Sequence, residues 1–245
     1  MVIGRKNNRD ITEMRPIKII PDITKYALGS LLLEMGETKV ICTISETLEV
    51  PQFLLGTNQG WLTAEYNMLP ASTVSRKPRE GRTKNIDGRS VEIQRFIGRA
   101  LRAAVDLKKV QTRTLWIDCD VVQADGGTRI ASVIGSFLAL KIAEKTMLDK
   151  QKIPEPFITN FVAGISVGIV DSQYLVDLDY VEDQRAQVDF NIVKLDNNKY
   201  VEIQGAGEHG TFSKTDFDSL LSLADNAINK IFEIEKEFLV NYEKK

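Results

Sequence analysis

Apolar and polar residues alternate with period two along "IKII" (17 to 20), "YALGSLLLEMG" (26 to 36), "TKVICTISETL" (38 to 48) and "WLTAEYNML" (61 to 69). Alternation of this kind turns one face of a segment toward a core. These stretches therefore predict strands, the second and third joined across Gly36-Glu37 as a hairpin. The period then changes. In "SVEIQRFIGRALRAAVDL" (90 to 107), Ile93, Ile97, Ala100 and Ala104 fall at i, i+4, i+7 and i+11, the buried stripe of a helix, with Ser90 as candidate N-cap. "TLWIDCDVV" (114 to 122) predicts a strand, and "IASVIGSFLALKIAEKTML" (130 to 148) a helix apolar on nearly every face, hence one buried all round.

The second half repeats the style. "FVAGISVGIV", "YLVDLDYVE", "QVDFNIVKL" and "KYVEIQGAG" predict strands, and a closing helix runs from about Ser213 to Val240. Strand clusters followed by helices predict an α+β fold with each sheet covered on one face. The two halves share an order of elements without a residue-level repeat.

With 245 residues, 43% hydrophobic and 27% charged, the chain has the composition of a globular protein able to bury a substantial core, as one large domain or two small ones. The polar, basic start "MVIGRKNNRD" has no apolar stretch of signal-peptide length, and no run of about 18 apolar residues occurs, so the reading is a soluble, cytoplasmic protein with no membrane partner. Cys42 and Cys119 lie in alternating apolar segments with no Cys or His nearby, which predicts buried free thiols rather than a zinc site. His209 is the only histidine. Chemistry, where present, should then rest on carboxylates, arginines and a hard metal ion.

The net charge of −2 conceals an uneven distribution. Residues 76 to 109 hold 11 Lys+Arg against 4 acids, a balance of +7, and the rest of the chain stands at −9. Part of this basic segment is "PASTVSRKPREGRTKNIDGR" (70 to 89), rich in proline, glycine and charge and without apolar periodicity, which predicts a long exposed loop. A phosphate-rich polymer is a natural partner for such a surface. The alternative is a solvated arginine-rich helix beside a floppy loop. Arg95, Arg99 and Arg102 line the helix face opposite the apolar stripe, and Arg99 has no acid at i±3 or i±4, which favours an anionic partner.

"VVQADGGTRI" (121 to 130) brings a strand into a helix through two glycines, a hydroxyl and an arginine. Glycines let backbone N–H groups approach a ligand, a helix N-terminus favours negative charge, and Arg129 offers the donor fork that fits phosphate. Neither the Walker A nor the dinucleotide pattern is present, so the pocket suits a single phosphate-sized anion. The alternative is a plain turn with Thr128 as N-cap. In "EDQRAQVDFN" (182 to 191), Asp183 and Asp189 are separated by an even number of positions and can point to one side across a bent strand or short turn, where two carboxylates hold Mg²⁺ or Mn²⁺. Alone, such a pair is often surface decoration. With an anion pocket and a basic face it suggests metal-assisted chemistry at phosphorus.

These residues, read with "GRKNNRDITEMRPI", "GSLLLEMGETKVICT", "GWLTAEYNMLP", "IDCDVVQADGGTR", "DLDYVEDQRAQVDFN" and "VEIQGAGE", give a chain that closely resembles the ribonuclease PH family over nearly its whole length. The resemblance implies a phosphate-dependent 3′ to 5′ exoribonuclease, a nucleotidyltransferase that trims tRNA precursors and other RNAs, ribosomal RNA included, and releases nucleoside diphosphates. It implies a single domain over residues 1–245 made of two pseudo-symmetric halves of the ribosomal protein S5 domain 2 type, assembled as a homo-hexamer, a trimer of dimers. By the same resemblance Arg89, Gly127, Thr128 and Arg129 bind inorganic phosphate. Asp183 and Asp189 hold Mg²⁺ or Mn²⁺, Asp189 with a further role as general acid; Arg89, Asp183 and Asp189 are the catalytic set. Arg76 and Arg79 contact the tRNA stem, Arg95 supports the phosphate or terminal nucleotide, and Arg99 extends the RNA-binding row.

Two positions depart from the family pattern: Ala71 in "MLPAST" stands where many members carry arginine, and His209 follows the glutamate where glycine is usual. The main rival function is a catalytically silent RNA-binding ring subunit of an exosome-like assembly, against which stand both aspartates and the Gly-Gly-Thr-Arg turn. A phosphate-dependent enzyme acting on free nucleosides would leave the basic segment unexplained.

Overall fold

The computed structural model describes residues 5–79 and 87–244. The first half is built from β1 (Ile17–Pro21), β2 (Gly29–Met35), β3 (Thr38–Thr47), β4 (Trp61–Met68), α1 (Gly88–Ala103), β5 (Thr114–Gln123) and α2 (Thr128–Asp149). The second follows with β6 (Val162–Val170), β7 (Gln173–Val176), α3 (Tyr180–Arg185), β8 (Val188–Leu195), β9 (Tyr200–Ala206) and α4 (Lys214–Glu243). The α+β class stands.

The first sheet has the order β1-β2-β3-β5-β4. Alternate residues of its central strands are sealed from water: Leu31, Leu33 and Met35 on β2, Val40, Cys42 and Ile44 on β3, Leu115, Ile117 and Val121 on β5. Met35 pairs with Thr38, so Gly36-Glu37 closes a two-residue hairpin, and Gly36 takes the left-handed backbone that such a turn requires (φ +56°). β4 runs parallel to β5 with α1 in the crossover between them. The second sheet, β7-β6-β8-β9, is antiparallel throughout.

Helix α2 packs on β2 and β3 of one sheet and on β6 of the other, while α4 packs on β6, β7 and β8. That dual contact explains why α2 is apolar on nearly every face and buried from Ile130 to Leu140 without a break. Its approach demands small partners. A Cβ on Gly29 would lie 2.1 Å from the carbonyl oxygen of Ala139, and one on Gly164 would crowd Ile130 at 3.1 Å. A single apolar cluster runs from Leu31 through α1 and α2 to Phe232 and so crosses from one half to the other. Cys42 and Cys119 are free and buried in it.

Three local expectations are corrected. The stretch 174–182 is not one strand: β7 ends at Val176 and α3 starts at Tyr180, because Asp179 and Glu182 form a reciprocal capping box at its N-terminus. Helix α1 starts earlier than Ser90, since the Asp87 side chain accepts from the Arg89 backbone N–H, and Ser90 is buried within the first turn. Arg99 does have an acidic partner: Nε and Nη2 donate to the two Glu202 oxygens of β9 at 2.8 and 2.5 Å. The helix sequence alone could not show that partner, which lies 103 residues away.

Candidate active site

The strand-to-helix turn is the first wall of a cleft. Gly126 and Gly127 both hold left-handed backbone, φ +78° and +67°. Gly126 is also pressed onto the second half of the chain: a Cβ there would stand 2.6 Å from the backbone carbon of Asp179 and 2.7 Å from the Leu178 carbonyl oxygen. Gly127 is the N-cap of α2 and, having no side chain, makes no side-chain cap bond to the helix's first turn. This corrects the alternative in which Thr128 is the N-cap. The left-handed glycine turns the chain one residue sooner, and the Thr128 hydroxyl lies instead 2.8 Å from Tyr66 Oη. Arg129 Nη1 donates to Gln204 Oε1 at 2.7 Å and to Glu92 Oε1 at 3.2 Å, and its guanidinium stands 5.7 Å from the Phe96 ring centre. Arg89, on the first turn of α1, reaches the same cleft.

The opposite wall comes from the second half. Asp183 sits on α3, and Asp189 and Asn191 share one face of β8, next to Ser166 of β6. Together with Glu208 beyond β9 they enclose, with the glycine turn and the arginines, a cavity of about 510 Å³. Burial raises the carboxyl pKa of Asp189, and the neighbouring charges of Asp183 and Glu208 raise it further against the opposing pull of Arg129. Burial raises Asp183 as well; Arg89 opposes this and Glu208 adds to it. Asp189 Oδ1 is buried and has no hydrogen-bond partner among the described residues. A buried carboxylate oxygen left open and facing further acids is the oxygen donor a hard divalent cation takes. Among the described residues no three acidic, histidine or cysteine side chains form a ready cage. A cation here would rest on the two aspartates and complete its shell with water and substrate oxygens.

A buried ionic network fastens the walls together. Arg15 forms a two-pronged pair with Asp177, Nε to Oδ2 at 2.9 Å and Nη2 to Oδ1 at 2.6 Å, and gives Nη1 to the Asp125 carbonyl at 2.6 Å. Arg5 pairs with both oxygens of Glu182 at 2.7 and 3.0 Å, and Arg9 donates to the same carboxylate at 3.2 Å. The N-terminal segment thus ties the glycine turn to α3, the element that carries Asp183.

Arg89, Gly127, Thr128, Arg129, Asp183 and Asp189 all line one cavity. Four other arginines do not. Arg76 and Arg79 are exposed beside the loop residues Thr73, Val74, Ser75 and Lys77 that do line it. Arg95 is exposed and makes no ion pair among the described residues, and Arg99 is held by Glu202. The rest of the predicted loop, residues 80–86, lies outside the described residues. Ala71 and His209 are exposed and do not line the cavity. Tyr66, Gln204, Glu208 and the network of Arg5, Arg9 and Arg15 were not singled out by sequence reasoning. Only the Asp179-x-x-Glu182 capping pattern was a local signal that could have placed α3.

Residues 13–146 match the 3′ exoribonuclease family, domain 1, and residues 160–227 match domain 2 of the same family. The chain is 48% identical over 240 residues to ribonuclease PH of Hydrogenobaculum sp. (strain Y04AAS1), covering 98% of this chain and 93% of that one. Its fold is similar to a chain of the Archaeoglobus fulgidus exosome with RNA bound to the active site, at TM-score 0.78 and 23% identity over 94% of this chain and 92% of that one. Rice (Oryza sativa) Rrp46 is similar at TM-score 0.76 and 17% identity, over 95% and 99% of the two chains.

Proposed function

The chain belongs to the 3′ exoribonuclease family to which its ribonuclease PH relative belongs, and from that premise we infer that it shortens RNA, tRNA precursors in particular, from the 3′ end by phosphorolysis. It is a phosphorolytic tRNA nucleotidyltransferase. Inorganic phosphate is the co-substrate: one of its oxygens attacks the phosphorus of the last phosphodiester, the bond to the 3′ oxygen of the preceding nucleotide breaks, and the terminal nucleotide leaves as a diphosphate. A phosphoester is exchanged for a phosphoanhydride, so nucleoside diphosphates add to RNA in the reverse direction.

The observation that carries this reading is the convergence in one cleft of Arg89, Thr128 and Arg129 with Asp183 and Asp189. Arg89, Arg129, the Thr128 hydroxyl and the open first turn of α2 at Gly127 bind the phosphate and offset its repulsion from the RNA phosphodiester. Asp183 and Asp189 hold Mg²⁺ or Mn²⁺, supported by the partnerless Asp189 oxygen, and the ion when bound would stabilise charge on the transferring phosphoryl group. Asp189, whose pKa is raised by burial and by the neighbouring Asp183 and Glu208, is also the group suited to return a proton to the departing 3′ oxygen. Exposed Arg76, Arg79 and Arg95 contact RNA outside the cleft. Arg99 serves RNA only through the edge of a guanidinium that Glu202 already holds.

The two halves act as a single domain over residues 1–245, supported by their common core. Six copies assemble as a trimer of dimers. The exposed apolar residues Leu48, Phe53 and Leu55 support an assembly surface, and light scattering tests the number. Among the described residues no helix is long and apolar enough to cross a membrane. The two free thiols fit a reducing, cytoplasmic location.

Chromatography of products from a 3′-end-labelled tRNA precursor, with Mg²⁺ and with or without inorganic phosphate, tests the function. Nucleoside diphosphates are expected only with phosphate. Bound RNA with no release under either condition would make the chain a silent ring subunit, and monophosphates without phosphate would make it a hydrolase.

A further inference from the structure

Thr128 is a cleft residue whose hydroxyl has one hydrogen-bond partner among the described residues, the phenol of Tyr66 at 2.8 Å, and either oxygen can be the donor. Tyr66 reaches that position from β4, where it lies beside Cys119 of β5, and it is only 2% exposed. The phenol has no other partner among the described residues and does not line the cavity.

The two possible directions of this bond are not equivalent. A threonine hydroxyl has one proton to give and two lone pairs to receive, whereas a tyrosine proton turned away from Thr128 would find no acceptor among the described residues. When Tyr66 donates, its proton is satisfied and the threonine proton is left to point into the cleft, where water or an anion accepts it. Burial also pushes the tyrosine's pKa above its usual value, against the opposing effects of Thr128, Arg89 and Arg129, so Tyr66 keeps the proton it needs to donate.

We propose that Tyr66 is a positioning residue acting through Thr128: it donates to Thr128 Oγ1 and so aims the threonine's hydroxyl proton at the phosphate bound beside the α2 N-terminus. The inference rests on the reading of Thr128 as a phosphate ligand. Two hydroxyls in series polarise each other, so the outer donor is strengthened as well as aimed. Tyr66 itself touches neither phosphate nor RNA.

The test compares Tyr66→Phe, Thr128→Val and the double variant by KM for inorganic phosphate, kcat and KM for a short oligoribonucleotide, with thermal melting as the check on folding. Tyr66→Phe is expected to raise the phosphate KM about tenfold, the scale of one hydrogen bond to a charged group, with kcat and the RNA KM nearly unchanged. A purely structural role would move melting or kcat instead. The double variant should bind phosphate no worse than Thr128→Val alone, because the tyrosine acts only through that hydroxyl. A phosphate KM at the wild-type value in Tyr66→Phe, or a double variant in which the two losses multiply, overturns the relay.

Thr128→Val separates this from the underlying reading: an unchanged phosphate KM there removes Thr128 as a ligand, and the relay falls with it. An elevated KM in Thr128→Val beside a normal one in Tyr66→Phe removes the relay alone. A measurement that leaves Tyr66 in place uses ¹³Cζ-labelled tyrosine. Inorganic phosphate should shift the Tyr66 resonance in the wild-type protein and not in Thr128→Val, and no shift in the wild type overturns the proposal.

Discussion

The two walls of the cleft solve opposite problems. On the side of β5 and α2 the polar groups are engaged before any ligand arrives: Thr128 with Tyr66, Arg129 with Glu92 and Gln204. On the side of α3 and β8 the carboxylates are crowded by like charge, and one Asp189 oxygen is buried without a partner. The first wall is preorganised, so an anion meets donors already in place and little reorganisation is needed. The second wall is left unsatisfied at a cost in stability. A group kept in that condition in a cleft is a candidate for binding a cation or a proton.

The most severe way to break this contrast is Asp189→Asn. Turnover measured as nucleoside diphosphate release in Mg²⁺ should fall about 10²–10⁴-fold, the range for losing a group that handles charge or a proton at the reacting centre. Melting temperature should hold or rise, because an unpartnered buried charge is removed. Loss of activity together with loss of stability would mean that the second wall is structural after all. Raising Mg²⁺ should increase the melting temperature of the wild type and leave this variant unchanged.

The contrast also requires the walls to be held in register, and Arg15 does this by touching both. Arg15→Ala would leave the longer contact to Arg9 Nη1 at 3.6 Å as the buried Asp177 carboxylate's one ion pair among the described residues, an effect of about 3 kcal/mol in urea denaturation. Activity at temperatures where the variant remains folded should also fall, since the Asp125 carbonyl and the Asp177 carboxylate lose their common partner. A loss below about 1 kcal/mol, the value of an exposed pair, would show that Arg15 does not hold the two walls in register.

Glu235 sharpens the comparison as a buried carboxylate outside the cleft. It lies on α4, both of its oxygens lack hydrogen-bond partners among the described residues, and burial, reinforced by Asp196 against Lys236, raises its pKa well above the ordinary value. The folded protein therefore holds a proton that the unfolded chain releases, and this contribution is intact below the ordinary glutamate range and declines as pH rises through the folded value. Glu235→Met should stabilise the protein at pH 7 by about 1–3 kcal/mol, with the gain shrinking toward pH 4 in parallel denaturation series. It should leave the Mg²⁺ response intact. An equal gain at both pH values would mean that the carboxyl does not change its protonation between the folded and unfolded states.

Local pattern carried a good deal of this architecture. Alternation marked β2, β3, β4, β5, β6, β8 and β9, and the stripe of Ile93, Ile97, Ala100 and Ala104 marked α1, all four sealed from water. The strand assigned to 174–182 failed because alternation continued through a sequence whose capping box begins a helix. Asp183 and Asp189 both line the cleft, carried there by a helix and a strand where a bent strand or a short turn was expected.

The sequence by itself determined the periods of burial, the glycine-rich turn at Gly126-Gly127, the basic segment and the chemical types available to the site, because each depends on residues within a few positions of one another. Tertiary structure decided which charges remain available. Arg99 is clamped by Glu202 while Arg129 is braced by Glu92 and Gln204 at the cleft, pairings that neither local sequence shows. Tyr66 meets Thr128 across 62 residues, and Arg15 meets Asp177 across 162. Hydrogen bonds and ion pairs act over a few ångströms of space whatever the separation along the chain, so only the folded arrangement of the two halves could select those partners.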